Sequence, residues 1–367
     1  MKSHRGLSFA LLTISLSVRA AEPAPVSVRL LPETPLVETT RGQQLLNFDL
    51  FLESRIHEPL EITSIEVSVL SGKALVAQRR LGTNGDSILT VPDRALPAGG
   101  KLVVFNPFHA FPQDLRIETL AYEFIFSAPG GNDEKARAQI VVKPRPYTGK
   151  TRLSLPVAGR LLVHDGHDFY SHHRRLDVTG GMTTALGITS NFGRYAYDLC
   201  VVDEQGRMYS GTGEKNEDWF GFGAPVLAPG DGTVVSMAND RPDNTKSRKA
   251  PLDRDAVMKN VKLLFGNYVI LDHGNGEYSF LAHLKQGSVT VKAGDSVKRG
   301  RKIGEMGFSG DAFLVHLHYQ VQSDAGFGEG LPSYFEGFKR ANGAGWTVVN
   351  RDAIDTGDVV ERLPRKP

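Results

Sequence analysis

The sequence predicts a mainly β protein in two domains. Short hydrophobic runs alternate with polar residues at period two, Gly- and Pro-rich turns separate them, and the length suits two units. At 367 residues, and about 150 residues per domain, two is the natural count. Hydrophobic residues make up 40% and charged residues 23% of the chain, a globular balance that excludes a wholly disordered, collagenous or polytopic membrane chain. Forty-three Lys and Arg against 41 Asp and Glu leave a net charge of +2. Bulk charge therefore selects neither nucleic acid nor an anionic membrane as partner.

Lys2 and Arg5 precede an apolar run over 7–18, shorter than the ~20 residues a spanning helix needs. Val18 and Ala20 are small enough for a signal-peptidase site, so residues 1–20 are expected to be a cleaved signal peptide and the mature chain to be periplasmic or secreted. No second long apolar run follows, so no stable membrane insertion is expected after cleavage. The single cysteine, Cys200, sits in the string Leu199, Cys200, Val201, Val202; that environment predicts core packing rather than nucleophilic use.

Residues 26–143 alternate as strands do: Phe48, Leu50 and Leu52 against Asp49 and Glu53, Ile65, Val67 and Val69 against Glu66 and Ser68, then Tyr122, Phe124 and Phe126. Turn signals at Asn84-Gly85, Ala98-Gly99-Gly100 and Pro129-Gly130-Gly131 fall at the spacing of a β-sandwich, and the segment reads as an immunoglobulin-like domain. It carries His57 and His109 with no cluster of ligating or nucleophilic residues, which suits a spacer or docking module. A linker is expected over 143–146.

The second domain, 153–340, holds the chemistry: eight of the eleven histidines lie between His164 and His318. Strand signals run over 194–202, 232–237, 268–272, 278–284 and 314–321. The polar segment 239–265 reads as an inserted surface loop bordering the site, with one helical turn set near 253–261. A short helix is expected over 332–340, and 341–367 as a C-terminal segment whose end, from Glu361, is loose.

His316-Leu317-His318 lies in a segment of strand composition. Residues i and i+2 of a strand share a face, so both imidazoles project together while Val315, Leu317 and Tyr319 face the other way. Paired imidazoles suggest a metal. His283 closes an apolar strand and can face a neighbouring strand's site; His273 belongs to the turn His273-Gly274-Asn275-Gly276 and reads as structural.

Together these residues resemble the lysostaphin-type, or LytM-type, zinc endopeptidases that cut peptidoglycan peptides. The resemblance runs over 155–324. It rests on Asp198 in Tyr195-Ala-Tyr-Asp198, the turn 228–234, Ala282-His283-Leu284, the run 294–300, and Gly307-Phe-Ser-Gly310 followed by His316-Leu317-His318. It implies an antiparallel β barrel-sandwich (duplicated hybrid) domain that binds one Zn²⁺ per chain. It further implies that Asp198 and His318 are metal ligands, that His283 and His316 are the catalytic histidines, and that the partners are peptidoglycan stem peptides.

One position departs from the family pattern. The first ligand, a His four residues before the Asp, is here Arg194, whose guanidinium has no free lone pair for a metal. The expected substitute is the pair His172 and His173, with the choice between them open. A competing local reading pairs His173 with Asp177, and His164 and His167 are expected at the surface or behind the ligands. Arg174, Arg175 and Arg194 are read either as receptors for peptide carboxylates or as salt-bridged residues. The rival function is a catalytically inactive LytM-type regulator of other wall hydrolases; a lipoyl- or biotin-like carrier hairpin over 289–304 has no lysine at its tip in a suitable context.

Overall fold

In the computed structural model, which describes residues 24–82, 93–343 and 345–364, strands dominate and helices are short. The expected signal peptide and the Asn84-Gly85 turn lie outside the described residues. No described helix is long and apolar enough to cross a membrane.

In the N-terminal part, a three-stranded antiparallel sheet (Val26–Leu31, Asp49–Ser54, Lys101–Phe105) faces a second sheet, in the order Ala136–Val142, Thr119–Ser127, Leu60–Ser71, Ala74–Gly82. The alternating residues close one core between them: Leu50, Leu52 and Val104 from the first, Val67, Val69, Phe124 and Phe126 from the second. This two-sheet packing is compatible with the immunoglobulin-like reading. A smaller sheet contains Leu36–Thr40, and Arg145 and Pro146 of the expected linker pair in parallel with its Leu36 and Val37. The connection is therefore held by backbone hydrogen bonds.

The C-terminal part is built on an eleven-stranded sheet. Its centre runs Gly232–Ala238, Asn267–Asp272, Tyr278–Leu284, Leu317–Gln322, Tyr197–Val201, Arg160–Asp165. Leu317–Gln322 and Tyr278–Leu284 are buried almost throughout, because both faces are covered. One face packs Leu199, Leu281, Leu317, Tyr319 and Val321 into the main core; the other carries the polar side chains described below. Cys200 is fully buried, and burial pushes its thiol well up.

Two expectations at the C-terminal end are corrected. The segment expected as a short helix is largely strand, Phe335–Ala341, since Phe335 and Phe338 are both buried in the sheet's core around Gly337 at φ 64°. Glu361 and Arg362 are not loose: Val359–Arg362 pairs with both Arg160–Asp165 and Phe335–Ala341. Within the insertion the helical turn is Arg254–Lys259, capped by the Asp253 side chain, and a 3₁₀ turn Val261–Phe265 returns the chain to the sheet.

Candidate metal centre

Strand register builds the site. Asp165 pairs with Asp198, Asp198 with His318, and His318 with Ala282, so one row crosses four adjacent strands with side chains about 5 Å apart. Tyr197, Leu199, Leu317 and Tyr319 point into the core, which leaves Asp198 and His318 on the opposite face. His316 precedes the strand, bridged to Gly307; the strand expected from 314 begins at Leu317. His316 still reaches the same face, with Nε2 3.3 Å from Asp198 Oδ1.

His283 reaches the site through a distortion. Strict alternation would place it with Leu281, in the core. Between the pairs Leu281↔Val269 and Leu284↔Asn267 its strand holds one extra residue, and His283 takes φ 59°, a left-handed conformation that costs a non-glycine residue energy. The bulge turns the imidazole out of the core to stand 4.8 Å, ring to ring, from His316.

The remaining histidines arrive on the segment after Asp165. His173 is buried and its Nε2 lies 3.5 Å from Asp198 Oδ1; His172 is largely exposed and turns back onto Asp165. Of the candidate pair, the structure brings His173 to Asp198. Asp177 is occupied locally, accepting from the backbone and hydroxyl of Thr179. His167 is buried against Glu38 at 2.9 Å. His164 lines the cavity wall, and His273 bridges Asp231 O and the Ser279 hydroxyl. Asp165, which the sequence reading did not single out, lies 3.1 Å from His173 Nδ1; only the register reveals it.

The four site imidazoles share one feature. The outer nitrogen of each lies against an acceptor: His173 Nδ1 against Asp165, His283 Nδ1 against Ser309 O at 2.8 Å, His316 Nδ1 against Leu314 O at 2.9 Å, and His318 Nε2 against Gln320 Oε1 at 2.9 Å. An outer nitrogen so placed donates, and the inner nitrogen keeps its lone pair. Lone pairs of His173, His316 and His318 thus converge on Asp198 Oδ1 at 3.5, 3.3 and 3.2 Å. Burial pushes His283 far down and lowers His173. Lone pairs facing a carboxylate repel unless a cation lies among them. Among the described residues, Asp165, His172, His173 and Asp198 bring ligand atoms within 4.8 Å of one another, a group that could hold a metal ion, and His318 Nδ1 lies 3.2 Å from Asp198 beside it.

Arg194 has a different use. Its guanidinium is buried and pairs with Asp49 at 2.7 Å and with Glu329. Arg174, also buried, takes the other oxygen of Asp49 at 2.7 Å and donates to Phe48 O and Asn47. Both arginines are salt-bridged and neither faces the cavity. Arg175 donates to Phe169 O and packs over the Phe169 and Tyr170 rings. The cavity over the site measures about 710 Å³. Its walls include Phe192, Phe313 and Leu314, and Leu264 and Phe265 from the end of the insertion; the Phe265 ring stands 5.5 Å from that of His318.

Residues 217–327 match peptidase family M23. That stretch contains His283, His316 and His318 and begins beyond Asp198. Over 95 residues the chain is 35% identical to the peptidoglycan DD-endopeptidase ShyA of Vibrio cholerae, covering 26% of this chain and 20% of that protein. Over 152 residues it is 27% identical to the cell division protein DipM of Caulobacter vibrioides, covering 40% and 21%. The chain thus spans about a fifth of the length of these relatives. Among solved structures, the catalytic domain of lysostaphin from Staphylococcus simulans aligns with a TM-score of 0.24 and 19% identity, over 38% of this chain and 74% of that chain.

Proposed function

We propose that this chain, which carries a peptidase family M23 segment in its C-terminal half, is an exported zinc endopeptidase that hydrolyses peptide cross-links of peptidoglycan. The observation that carries the reading is the convergence of three imidazole lone pairs on Asp198. His173, Asp198 and His318 would hold the ion. Zinc held by two imidazoles and a carboxylate supplies Lewis acidity, which activates water for attack on an amide carbonyl.

His316 Nε2 faces the same point with its proton-bearing Nδ1 anchored on Leu314 O, which suits it to take a proton from the attacking water. His283 is anchored on Ser309 O and kept neutral by burial; it orients the attacking water by accepting its second hydrogen bond. The apolar walls exclude competing water and leave room for an extended peptide. The inactive-regulator reading drew its support from Arg194, and His173 beside Asp198 supplies the donor that Arg194 lacks.

The test is digestion of defined cross-linked muropeptides, read by mass, with and without chelator. Cleavage that stops on chelation and returns with zinc supports the reading; unchanged products after chelation sink it. Metal content should fall in His318→Ala and His173→Ala and persist in His172→Ala.

A further inference from the structure

The strand Leu317–Gln322 presents His318, Gln320 and Gln322 on one face at period two, and both glutamines are fully buried. Beyond the His318–Gln320 contact the hydrogen bonds continue. Gln320 Nε2 donates to Gln322 Oε1, and Gln322 Nε2 donates to two backbone carbonyls, Asp324 O and Gly326 O, each at 2.8 Å. The turn carrying those carbonyls is fixed in turn: Asp324 Oδ1 accepts from Gly326 N, and Lys262 of the insertion donates to Ala325 O at 3.2 Å.

This chain has a direction. A carbonyl only accepts, and a side-chain amide donates only through nitrogen. Two carbonyls at the far end therefore hold the Gln322 NH₂ toward the turn and its oxygen toward Gln320. That oxygen in turn holds the Gln320 NH₂ and leaves Gln320 Oε1 facing His318. An oxygen there accepts, so the proton sits on His318 Nε2 and the lone pair on Nδ1, the atom facing Asp198. Reversing either amide would set oxygen against oxygen in a buried place.

We propose that Gln320 and Gln322 are positioning residues: anchored on the 324–326 turn, they lock His318 in the Nε2–H tautomer and so keep a metal-binding lone pair on Nδ1. The relevance to zinc rests on the function proposed above, whereas the tautomer is a property of the metal-free chain and is testable alone.

The experiment uses the full mature chain, wild type, Gln320→Met, Gln322→Met and Gln322→Leu, the near-isosteric Met variants guarding against loss of folding. Long-range ¹H–¹⁵N spectra of the metal-free proteins, about two pH units above the ordinary imidazole value, report which His318 nitrogen is protonated. Chelator competition reports zinc affinity. Wild type should show Nε2–H. The variants should show mixed or Nδ1–H signals with the Nδ1 proton on Asp198, and zinc affinity about 10–100-fold lower, as expected for a partner behind a ligand. An Nδ1–H tautomer in the wild type, or folded variants with unchanged tautomer or unchanged zinc affinity, would overturn the proposal. If the wild type binds no zinc, the functional reading fails and the tautomer spectra still decide the relay.

Discussion

His283 concentrates the problem of the site in one residue. Its left-handed backbone turns a position that alternation assigns to the core toward His316, and the surrounding sheet holds it there. Glycine accepts that conformation freely and alanine does not. Accordingly, His283→Gly should be more stable than His283→Ala by about 1 kcal/mol in urea unfolding, although it removes the same imidazole. Equal stability of the two would show that the strain is absent in solution. Both variants should keep their zinc while kcat falls about 10²–10⁴-fold, the usual weight of a positioned acid–base group. Loss of metal in either would make His283 a ligand. At this scale the sequence was legible in kind: His283, His316, His318 and Asp198 could be picked out. Which of His172 and His173 lies beside Asp198 could not, because neighbours along a loop differ only in which way the loop is held.

Elements explain how such residues meet. The row Asp165, Asp198, His318 and Ala282 exists because four strands adopt one register, and two carboxylates facing each other are tolerated only where positive partners surround them. Asp165 holds His173 by its Nδ1 proton and also accepts from Ser171 at 3.0 Å. Replacing it with a weaker acceptor, Asp165→Asn, should lower zinc affinity about 10–100-fold with little change in melting temperature; an affinity equal to wild type would remove Asp165 from the centre.

A second element-scale prediction concerns the connection into the C-terminal sheet. Tyr147 Oη and the backbone N–H groups of Lys150 and Thr151 all donate to Glu277, at 2.6–2.8 Å. Burial alone would raise that carboxyl, but these bonds carry it below its usual value. A depressed folded value means that the stabilisation is complete above the unfolded value of about 4.3 and is lost as pH falls through the folded one. Glu277→Gln should therefore unfold more easily than wild type at neutral pH, and the gap should narrow toward about pH 3. A gap independent of pH would contradict the assignment.

Across the whole molecule, Asp49 of the N-terminal sandwich joins the two parts. Its two oxygens hold Arg174, which follows His173 in the chain, and Arg194, which occupies the position where the resembling family has its first ligand. Two buried guanidinium groups against Asp49 and Glu329 balance in charge, and removing one partner strands the rest. Asp49→Ala should cost about 3–5 kcal/mol and weaken zinc binding together with it. By comparison Glu53→Ala, which breaks the exposed pair with Lys101, should cost under ~1 kcal/mol. Equal effects of the two would mean that the N-terminal sandwich does not support the metal centre.

What the sequence by itself determined is local: period-two faces, turns, the apolar string around Cys200, and a pair of imidazoles two residues apart. Such patterns are written between near neighbours, where steric alternation alone dictates direction. Tertiary structure decided the rest: the bulge that turns His283, the register that sets Asp165 beside Asp198, the placing of His173 against Asp198, and the burial of Arg194 against Asp49. Each of these depends on contacts between segments far apart in the chain, whose register minimises the free energy of the whole packing rather than that of any one stretch.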